Sequence, residues 1–357
     1  MCKVKKLDFT GETLYCGLDA HKKNWSISPR LCGVELKGFS QNPDASELSS
    51  YCKKHYPGAH VKVVYEAGFC GFGIQRSLSE LGIECLVVNA ADVPSSDKER
   101  KRKDDKRDAR KLSRELSQGD LEGIYIPTIE MEQCRTLVRQ RYRLVQDQTR
   151  CKNRIRHMLL FSGIELPVAN ERWSQKYLKE IEKANCKTEA LKTTLQLAIE
   201  EYRQIRLLIK QATQAIRKLA GEPLFRDVQQ YLQSIDGIGL TNGMGIQTEI
   251  QDINRFRTLD HLCDYAGFVP DISSSDDKTK IKGVTQRCNE FLREAIIESS
   301  WILIAKDSAM LMKYNEYRGR MHKNKAIIRI GKHLLSRIRF VWKNQKKYQR
   351  GVVGLVA

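Results

Sequence analysis

Four acidic residues stand where their carboxylates could be brought together. Asp19 and Glu66 each close a short apolar segment, and Asp105 and Asp108 lie three residues apart, on one face of a helix. Two carboxylates held side by side repel each other, so such a pair usually holds a cation. Hard oxygen ligands of this kind suit one or two Mg²⁺ ions, which activate an attacking oxygen and stabilise the leaving oxygen of a phosphodiester. The four acids therefore predict metal-assisted phosphodiester chemistry.

Each acid also has an ordinary structural interpretation. Asp19 alone is most simply a cap for the turn that follows it. The segment 98–114 holds ten basic and four acidic residues, and such a segment is usually a solvated charged helix. Spacing does not exclude Asp104 as an alternative member of the set.

Three consecutive serines, Ser273 to Ser275, follow Pro270 in the C-terminal part of the chain. A serine run after a proline is most often a polar loop. A serine hydroxyl becomes a useful nucleophile only beside a base or a metal, and the histidine nearest in sequence is His261. The residues alone favour the polar loop.

The acids need a scaffold that brings two strand ends together, and the apolar pattern of residues 1–128 predicts one. Three antiparallel strands are followed by helices that alternate with parallel strands, which is the order of a ribonuclease-H-like fold. The first and fourth strands are neighbours in such a sheet, so Asp19 and Glu66 would lie side by side. The predicted strands are 14–19, 24–28, 34–39, 60–65 and 83–88, and the predicted helices are 45–55 and 72–81.

Residues 129–222 are predicted to be helical and carry a strong apolar repeat. The repeat has alternating steps of four and three over four heptads, which is the pattern of a coiled-coil seam. Two interpretations stay open: a helical hairpin within one chain, and a coiled coil between copies. The strong seam consists of Leu191, Leu195, Ala198, Tyr202, Ile205, Ile209, Ala212, Ile216 and Leu219, and a weaker seam consists of Leu137, Leu144, Cys151, Ile155 and Met158.

The charge of the chain predicts a polyanionic partner. Its 357 residues carry a formal net charge of +19, which favours nucleic acid. Residues 318–350 contain twelve Lys or Arg and no acid, with Phe340, Trp342 and Tyr348 interleaved. A solvated helix face normally mixes the two signs, so this basic tail predicts nucleic-acid contact.

Residues 223–357 are predicted to form a third, mainly helical unit. It begins with Ile235-Asp-Gly-Ile-Gly239, which resembles the turn of a helix-hairpin-helix. Such a turn offers backbone N–H groups to a phosphate. A plain helix–helix turn is an equally good interpretation.

Composition argues against several other classes of protein. No run of about 18 apolar residues occurs, so a membrane span is not expected, and the first residues lack the apolar stretch of a signal peptide. The 11 cysteines include no Cys-x-x-Cys pair. This argues against zinc ribbons and a disulfide framework, and for reduced thiols in a cytoplasm.

The motifs together resemble one family, the DEDD transposases of bacterial insertion sequences (the insertion-sequence one-ten family, described as bridge-RNA-guided serine recombinases). The resemblance spans essentially the whole chain. It implies a RuvC-like (ribonuclease-H-like) α/β domain in 1–128, a helical coiled-coil region in 129–222 and a mainly α transposase domain in 223–357. The motifs that carry it are Gly-Leu-Asp19, Tyr-Glu66-Ala-Gly, Asp105-x-x-Asp108-Ala-Arg and Tyr265-Ala-Gly-Phe-Val-Pro270, with the stretch that continues to Asn289.

The resemblance also implies roles for the site residues. Asp19, Glu66, Asp105 and Asp108 would be catalytic ligands of Mg²⁺, with Mn²⁺ as a substitute. A serine would attack a DNA phosphate, giving a covalent phosphoserine and a free 3′-hydroxyl. The active site would be a composite of two domains, from one subunit or from two.

The resemblance implies partners as well. The substrate would be double-stranded DNA at the element ends and the target, and a noncoding guide RNA would select the sites by base pairing. The protein would act as a homo-oligomer, a dimer or a tetramer, in the bacterial cytoplasm at the nucleoid. The basic residues of 98–114 and 318–350 would contact these two polyanions.

The resemblance also implies which serine is catalytic. In the family the catalytic serine stands five residues past the proline, which is Ser275 here, with Ser274 as the second choice. Two positions depart from the family pattern: Asp276 replaces the glycine that usually follows the serine, and Cys288 replaces the glycine before the asparagine. Because the neighbouring residues are also serines, the register can shift by one.

Two other functions fit parts of the sequence. A hydrolytic RuvC-like, junction-resolving nuclease would use the four acids and leave the serines idle, and full cleavage by a Ser275→Ala variant would favour it. A non-catalytic nucleic-acid-binding protein, such as a decayed transposase, would need only the basic charge. Binding that is independent of Mg²⁺, without strand cleavage, would favour that one.

We predict that binding to nucleic acid weakens steeply as salt is raised. Phosphates neutralised by Lys and Arg release counterions, so the logarithm of affinity falls linearly with the logarithm of salt concentration. Titrations of a DNA duplex at several NaCl concentrations measure the slope. A flat response would contradict phosphate contact by the basic segments.

Overall fold

The computed structural model describes residues 8–94, 105–165, 173–275, 278–285 and 287–350, and their side chains except those of 105, 106 and 271–282. The chain forms two compact units, Met1–Ile126 and Pro127–Ala357. The first unit is mixed α/β and the second is mainly helical, which confirms the coarse fold class predicted from the sequence.

A mixed sheet is the framework of the first unit. Its strands are β1 (Thr13–Ala20), β2 (Trp25–Leu31), β3 (Val34–Glu35), β4 (Phe39–Gln41), β5 (His60–Glu66) and β6 (Glu84–Val88), and its helices are α1 (Ala45–His55), α2 (Gly73–Glu80) and α3 (Asp105–Gln118). The strand order is β3-β2-β1-β5-β6, with β4 also paired to β2. β1 runs antiparallel to β2 and parallel to β5, and β5 runs parallel to β6.

The third predicted strand, 34–39, is divided in the structure into β3 and β4. β3 pairs with Arg30 and Leu31, whereas β4 pairs with residues 25–27. Between these two stretches lies Pro29, whose carbonyl accepts from the Leu36 amide at 2.9 Å. Proline has no N–H to donate in return, so the ladder is interrupted at this point.

The two faces of the sheet are covered by different helices. Leu14, Cys16 and Leu18 of β1 are buried in a cluster with residues of α1 and α2. The alternate residues of a strand point to the opposite face. On that face Leu112 of α3 is buried in a cluster with Val64 of β5.

Helix α3 approaches β1 closely at Gly17. A Cβ atom at this position would lie 2.0 Å from the Ala109 carbonyl oxygen and 2.5 Å from the Ser113 backbone nitrogen. A side chain cannot occupy that space, so glycine is the residue that lets helix and strand lie this close.

The second unit is built from helices and one two-stranded hairpin. The hairpin consists of β7 (Pro270–Ser275) and β8 (Lys278–Val284). The helices are α4 (Ile129–Phe161), α5 (Gln175–Glu182), α6 (Glu189–Ala220), α7 (Pro223–Leu232), α8 (Leu240–Ile250), α9 (Leu259–Tyr265), α10 (Glu290–Lys306), α11 (Ser308–Arg318) and α12 (Lys323–Asn344).

Helices α4 and α6 form an antiparallel pair within the chain. Arg141 donates to Thr213 at 2.9 Å, and the Cys151 thiol donates to the Ala198 carbonyl at 3.4 Å. Seam residues of α6 are buried in clusters with α4 and α5. The strong seam therefore packs inside one chain, as in the first of the two interpretations, and a coiled coil between copies stays a prediction.

The core of the C-terminal helices includes part of the basic tail. Trp342 is only 9% exposed and lies in the main cluster of buried residues, and Tyr348 packs against that cluster. The apolar face of α12 thus buries Trp342 in the core, away from any nucleic acid. Phe340 is 57% exposed, and contact of the basic tail with nucleic acid stays a prediction.

None of the helices in the described ranges is both long enough and apolar enough to cross a membrane.

The ten cysteines in these ranges are free thiols.

We predict that Gly17→Ala destabilises the protein and Gly73→Ala does not. The methyl group at position 17 would press on the backbone of α3, and overpacking of this kind costs about 1–3 kcal/mol. At Gly73 an added Cβ meets no atom within 4 Å, which makes this helix position the matched control. Urea unfolding followed by circular dichroism compares the two variants. Equal free energies of unfolding would contradict the close approach at Gly17.

Candidate active site

Asp19 and Glu66 occupy neighbouring positions at the carboxyl ends of two parallel strands. Leu18 pairs with Tyr65 in the β1–β5 ladder, so the next pair along is Asp19 and Glu66. Side chains alternate along a strand, and Gly17 faces α3. The two acids therefore lie on the face of the sheet that α3 covers, side by side as the sequence predicted.

The direction of α3 follows from its contacts with the strands. Ala109 lies over Gly17. Leu116, two turns further along the helix, lines a cavity of about 370 Å³ together with Tyr15, near the start of β1. The helix thus runs antiparallel to β1, and its N-terminal end points toward the end of the strand that carries Asp19.

Asp108 and Asp105 belong to that N-terminal end. Asp108 immediately precedes Ala109, and Asp105 is the first residue of α3. The backbone therefore brings two strand-end acids and the acidic start of one helix to the same end of the sheet.

The chemistry of these donors fits a divalent cation, since all are carboxylates. Among the side chains that the structure describes, no three of Asp, Glu, His or Cys lie close enough together to hold a metal ion. The Asp105 side chain is outside that set. The donor type and the shared end of the sheet thus support a metal site, and its ligand set stays a prediction.

A histidine that the sequence analysis missed lies beside the acids. The Nε2 atom of His21 is 3.3 Å from Oδ2 of Asp19, and the Asp19 side chain is 23% exposed. An imidazole held by a carboxylate has a fixed orientation, which suits a general acid or base. The available signal was the sequence Asp19-Ala-His21, in which the histidine comes directly after the end of β1.

A groove of about 590 Å³ opens beside the same end of the sheet. His21, Lys22 and Phe69 are among the residues that line it. Phe69 is 72% exposed, although large aromatic side chains are usually buried. Exposed aromatic rings next to cationic side chains are typical of surfaces on which unpaired bases stack.

The serines of the second unit lie on a strand, where the sequence favoured a polar loop. Ser275 is the last residue of β7 and pairs with Lys278 of β8, and Ser274 pairs with Thr279. The β-branched residues of β8 favour the extended conformation. The strand places Ser275 next to the turn of the hairpin and leaves the choice between Ser274 and Ser275 open.

The turn that resembles a helix-hairpin-helix packs against α10. Gly237 has a φ of +92°, and a Cβ there would lie 2.3 Å from the Ser299 carbonyl oxygen. Asp236 accepts two hydrogen bonds from Arg350, at 2.6 and 2.8 Å. The Arg350 guanidinium holds the pKa of the Asp236 carboxyl below its usual range. The turn therefore anchors the end of the basic tail, and its contact with phosphate stays a prediction.

Comparison with known families matches both units. A DEDD transposase model of the IS110 family matches residues 16–162, and the model described as Transposase IS116/IS110/IS902 family matches residues 229–315. The first match contains all four acids, and the second contains the serines of β7.

Individual relatives carry the same description. The chain is 28% identical to "Putative transposase y4qE" and 29% identical to "Putative transposase y4rJ", both from Sinorhizobium fredii, over 68% and 76% of its length. It is 26% identical, over 67% of its length, to the transposase for insertion sequence element IS1533 of Leptospira borgpetersenii. These matches span 58%, 74% and 70% of the relatives' own lengths.

The two family models and the transposase relatives identify the class of protein as a DEDD transposase. The chain belongs to the IS110 family of insertion-sequence transposases.

We predict that Mg²⁺ raises the melting temperature of the protein through the four acids. A ligand that binds only the folded state stabilises it in proportion to the logarithm of its concentration above Kd. Asp19→Asn and Asp108→Asn should lose most of this response, whereas Asp120→Asn, an exposed acid beyond the other end of α3, should keep it. Thermal melts over a series of MgCl₂ concentrations make the comparison. The same shift in all variants would show that Mg²⁺ binds elsewhere.

Proposed function

We propose that this protein cuts and rejoins DNA during transposition of its insertion sequence, through a covalent bond between DNA and a serine. The observation that carries the proposal is the placement of Asp19, Glu66 and the acidic start of α3 at one end of the sheet. Membership of the IS110 family supports DNA as the substrate.

The proposal assigns a RuvC-like, ribonuclease-H-like fold to residues 1–128. The strand order β3-β2-β1-β5-β6, with an antiparallel first half and a parallel second half, supports this assignment. The proposal keeps a helical middle region in 129–222 and a transposase domain in 223–357.

Asp19, Glu66, Asp105 and Asp108 are the residues that would hold Mg²⁺, or Mn²⁺ in its place. When bound, a divalent cation supplies Lewis-acid stabilisation of the charge that develops on the phosphate oxygens. The protein itself supplies the fixed carboxylates and His21, which contacts Asp19 and can accept or donate a proton at Nε2.

Ser275 is the proposed nucleophile, with Ser274 as the second choice. Its Oγ forms a bond to phosphorus, the bond between phosphorus and the 3′-oxygen breaks, and the serine proton passes to a base. The leaving oxygen takes up a proton and becomes a 3′-hydroxyl. A 3′-hydroxyl of the exchanged strand then attacks the phosphoserine, and the serine is regenerated.

Two basic segments, 98–114 and 318–350, are the proposed contacts with nucleic acid. The net charge of +19 favours binding to polyanions. The proposed partners are duplex DNA at the element ends and the target, and a noncoding guide RNA that selects these sites. Strand exchange between two duplexes requires a homo-oligomer, a dimer or a tetramer. These partners rest on the family resemblance and on the charge.

One observation favours a second candidate function, a hydrolytic RuvC-like nuclease. All four acids lie in the first unit, so that unit contains the residues for metal-assisted hydrolysis without the serine hairpin.

A covalent protein–DNA adduct would distinguish the two functions. The protein is expressed together with its native flanking DNA, so that any RNA of the element is present, and denatured complexes are digested and mapped by mass spectrometry. We expect a phosphodiester remnant on Ser275 that is lost in Ser275→Ala and kept in Ser274→Ala. We also expect no adduct with Asp105→Ala, although this variant should melt like the wild type in the absence of Mg²⁺.

Strand cleavage without an adduct, and full cleavage by Ser275→Ala, would favour the hydrolytic nuclease. A remnant on Ser274 would shift the register by one residue. If no variant cleaves DNA and binding does not depend on Mg²⁺, both enzymatic functions are contradicted.

A further inference from the structure

A buried glutamate lies beneath the serine hairpin. Glu249 is in the last turn of α8, and its side chain is fully buried. Its two carboxylate oxygens accept hydrogen bonds from Arg139 of α4 at 2.7 and 2.8 Å. One of them also accepts from Nδ2 of Asn289 at 2.7 Å. A buried carboxylate with this many charge-assisted hydrogen bonds holds its partners in a fixed geometry.

The partners of Glu249 lie at both ends of the hairpin. Tyr265 is the last residue of the helix before β7, and its hydroxyl donates to the Glu249 backbone carbonyl at 3.2 Å. Asn289, which follows β8, donates from Nδ2 to the Tyr265 hydroxyl at 3.0 Å and from its backbone N–H to the Tyr265 carbonyl at 2.8 Å. The two ends are thus joined to each other and to Glu249.

Further contacts restrain the same two ends of the hairpin. Arg293 of α10 donates to the Thr285 carbonyl at the end of β8. Gly267, just before β7, has a φ of +73°, and a Cβ there would lie 2.1 Å from the Arg293 guanidinium. Helix α10 and the segment that leads into β7 therefore fit closely against each other.

A two-stranded hairpin has little stability of its own. The contacts at its two ends, around Tyr265 and Asn289, therefore determine the direction of its strands. Apolar residues could stabilise these two ends equally well, because burial of an ion pair often adds little net stability. Hydrogen bonds to a fixed carboxylate add direction, which packing alone does not supply. Placement of a nucleophile within a fraction of an ångström is worth orders of magnitude in rate.

We propose that Glu249, Asn289 and Tyr265 are positioning residues that orient the serine hairpin for attack on DNA. This inference rests on the proposed function, because it assigns the nucleophile to β7. Arg139 holds both oxygens of the Glu249 carboxylate. The family match and the sequence pattern assign no role to this network.

Asn289→Asp is the variant that tests the network most sharply. Asn289 caps α10 by accepting from the Leu292 amide at 3.0 Å, and an aspartate keeps that acceptor. It replaces the Nδ2 donor with an oxygen that faces the Glu249 carboxylate. We expect adduct formation to slow by about tenfold or more, with the affinity for DNA changed by less than about twofold.

The double variant Glu249→Gln/Asn289→Asp supplies the rescue. It restores one amide and one carboxylate across the same hydrogen bond and keeps a single negative charge beside Arg139. We expect it to recover about threefold or more of the rate lost in Asn289→Asp.

Glu201→Gln is the matched control. Glu201 of α6 pairs with Arg154 of α4 at 2.5 Å, in the same unit and through the same kind of ion pair, but its side chain is 47% exposed. We expect this variant to form the adduct at the wild-type rate.

Hydrogen exchange of the amides in 270–284 gives a readout that does not depend on catalysis. We expect faster exchange in Asn289→Asp and unchanged exchange in Glu201→Gln. Wild-type exchange together with a wild-type adduct rate in Asn289→Asp would overturn the positioning role. Faster exchange with no adduct on the wild-type protein would instead show that the proposed serine chemistry is wrong, and the role in positioning a nucleophile would fall with it.

Discussion

The close approach of α3 to β1 at Gly17 is the constraint on which the candidate active site depends. With no Cβ at this position, the helix backbone lies where any side chain would meet the Ala109 carbonyl at 2.0 Å. The helix is thereby held along the strand in a direction that takes Asp108 toward Asp19. A wider separation would leave the acids of α3 in solvent and the strand-end pair without further ligands. The arrangement of acids that the proposed metal site requires therefore depends on a contact between two backbones.

In the second unit, a network of hydrogen bonds positions the serine hairpin. The helices α7 to α12 share a large apolar core. Hydrogen bonds nevertheless join both ends of the serine hairpin to one residue, because Asn289 donates to the Glu249 carboxylate and Tyr265 donates to the Glu249 backbone carbonyl. Apolar packing specifies volume, whereas hydrogen bonds to charged groups also specify direction. A rigid helical scaffold with a directional polar base suits a nucleophile that must attack phosphorus along one line. The basic tail belongs to the same scaffold, because Arg350 anchors its end on Asp236.

Much of the first unit could be predicted, because period-two alternation and strand ends are local signals. Asp19 and Glu66 were placed correctly for that reason. The division of the third strand was not predicted because it depends on Pro29 in the partner strand. The role of Phe69 was not predicted because a local sequence pattern does not show that a side chain is exposed. The burial of Trp342 was not predicted because the many basic residues of α12 drew attention away from the apolar residues on its other face. Glu249 left one signal, an acid within the otherwise uncharged helix α8, but its partners Arg139 and Asn289 lie far away in sequence.

The central claim is that Asp19, Glu66, Asp105 and Asp108 surround one divalent cation, and iron-directed backbone cleavage tests it most directly. Fe²⁺ replaces Mg²⁺ at carboxylate sites, and with ascorbate and peroxide it generates hydroxyl radicals that cut only the nearby backbone. The structure predicts cuts in three separate segments, near 17–21, 64–68 and 104–109, each suppressed by excess Mg²⁺ and by Asp108→Asn. Cuts at only one of these segments, or at sites elsewhere that Mg²⁺ also protects, would contradict the claim.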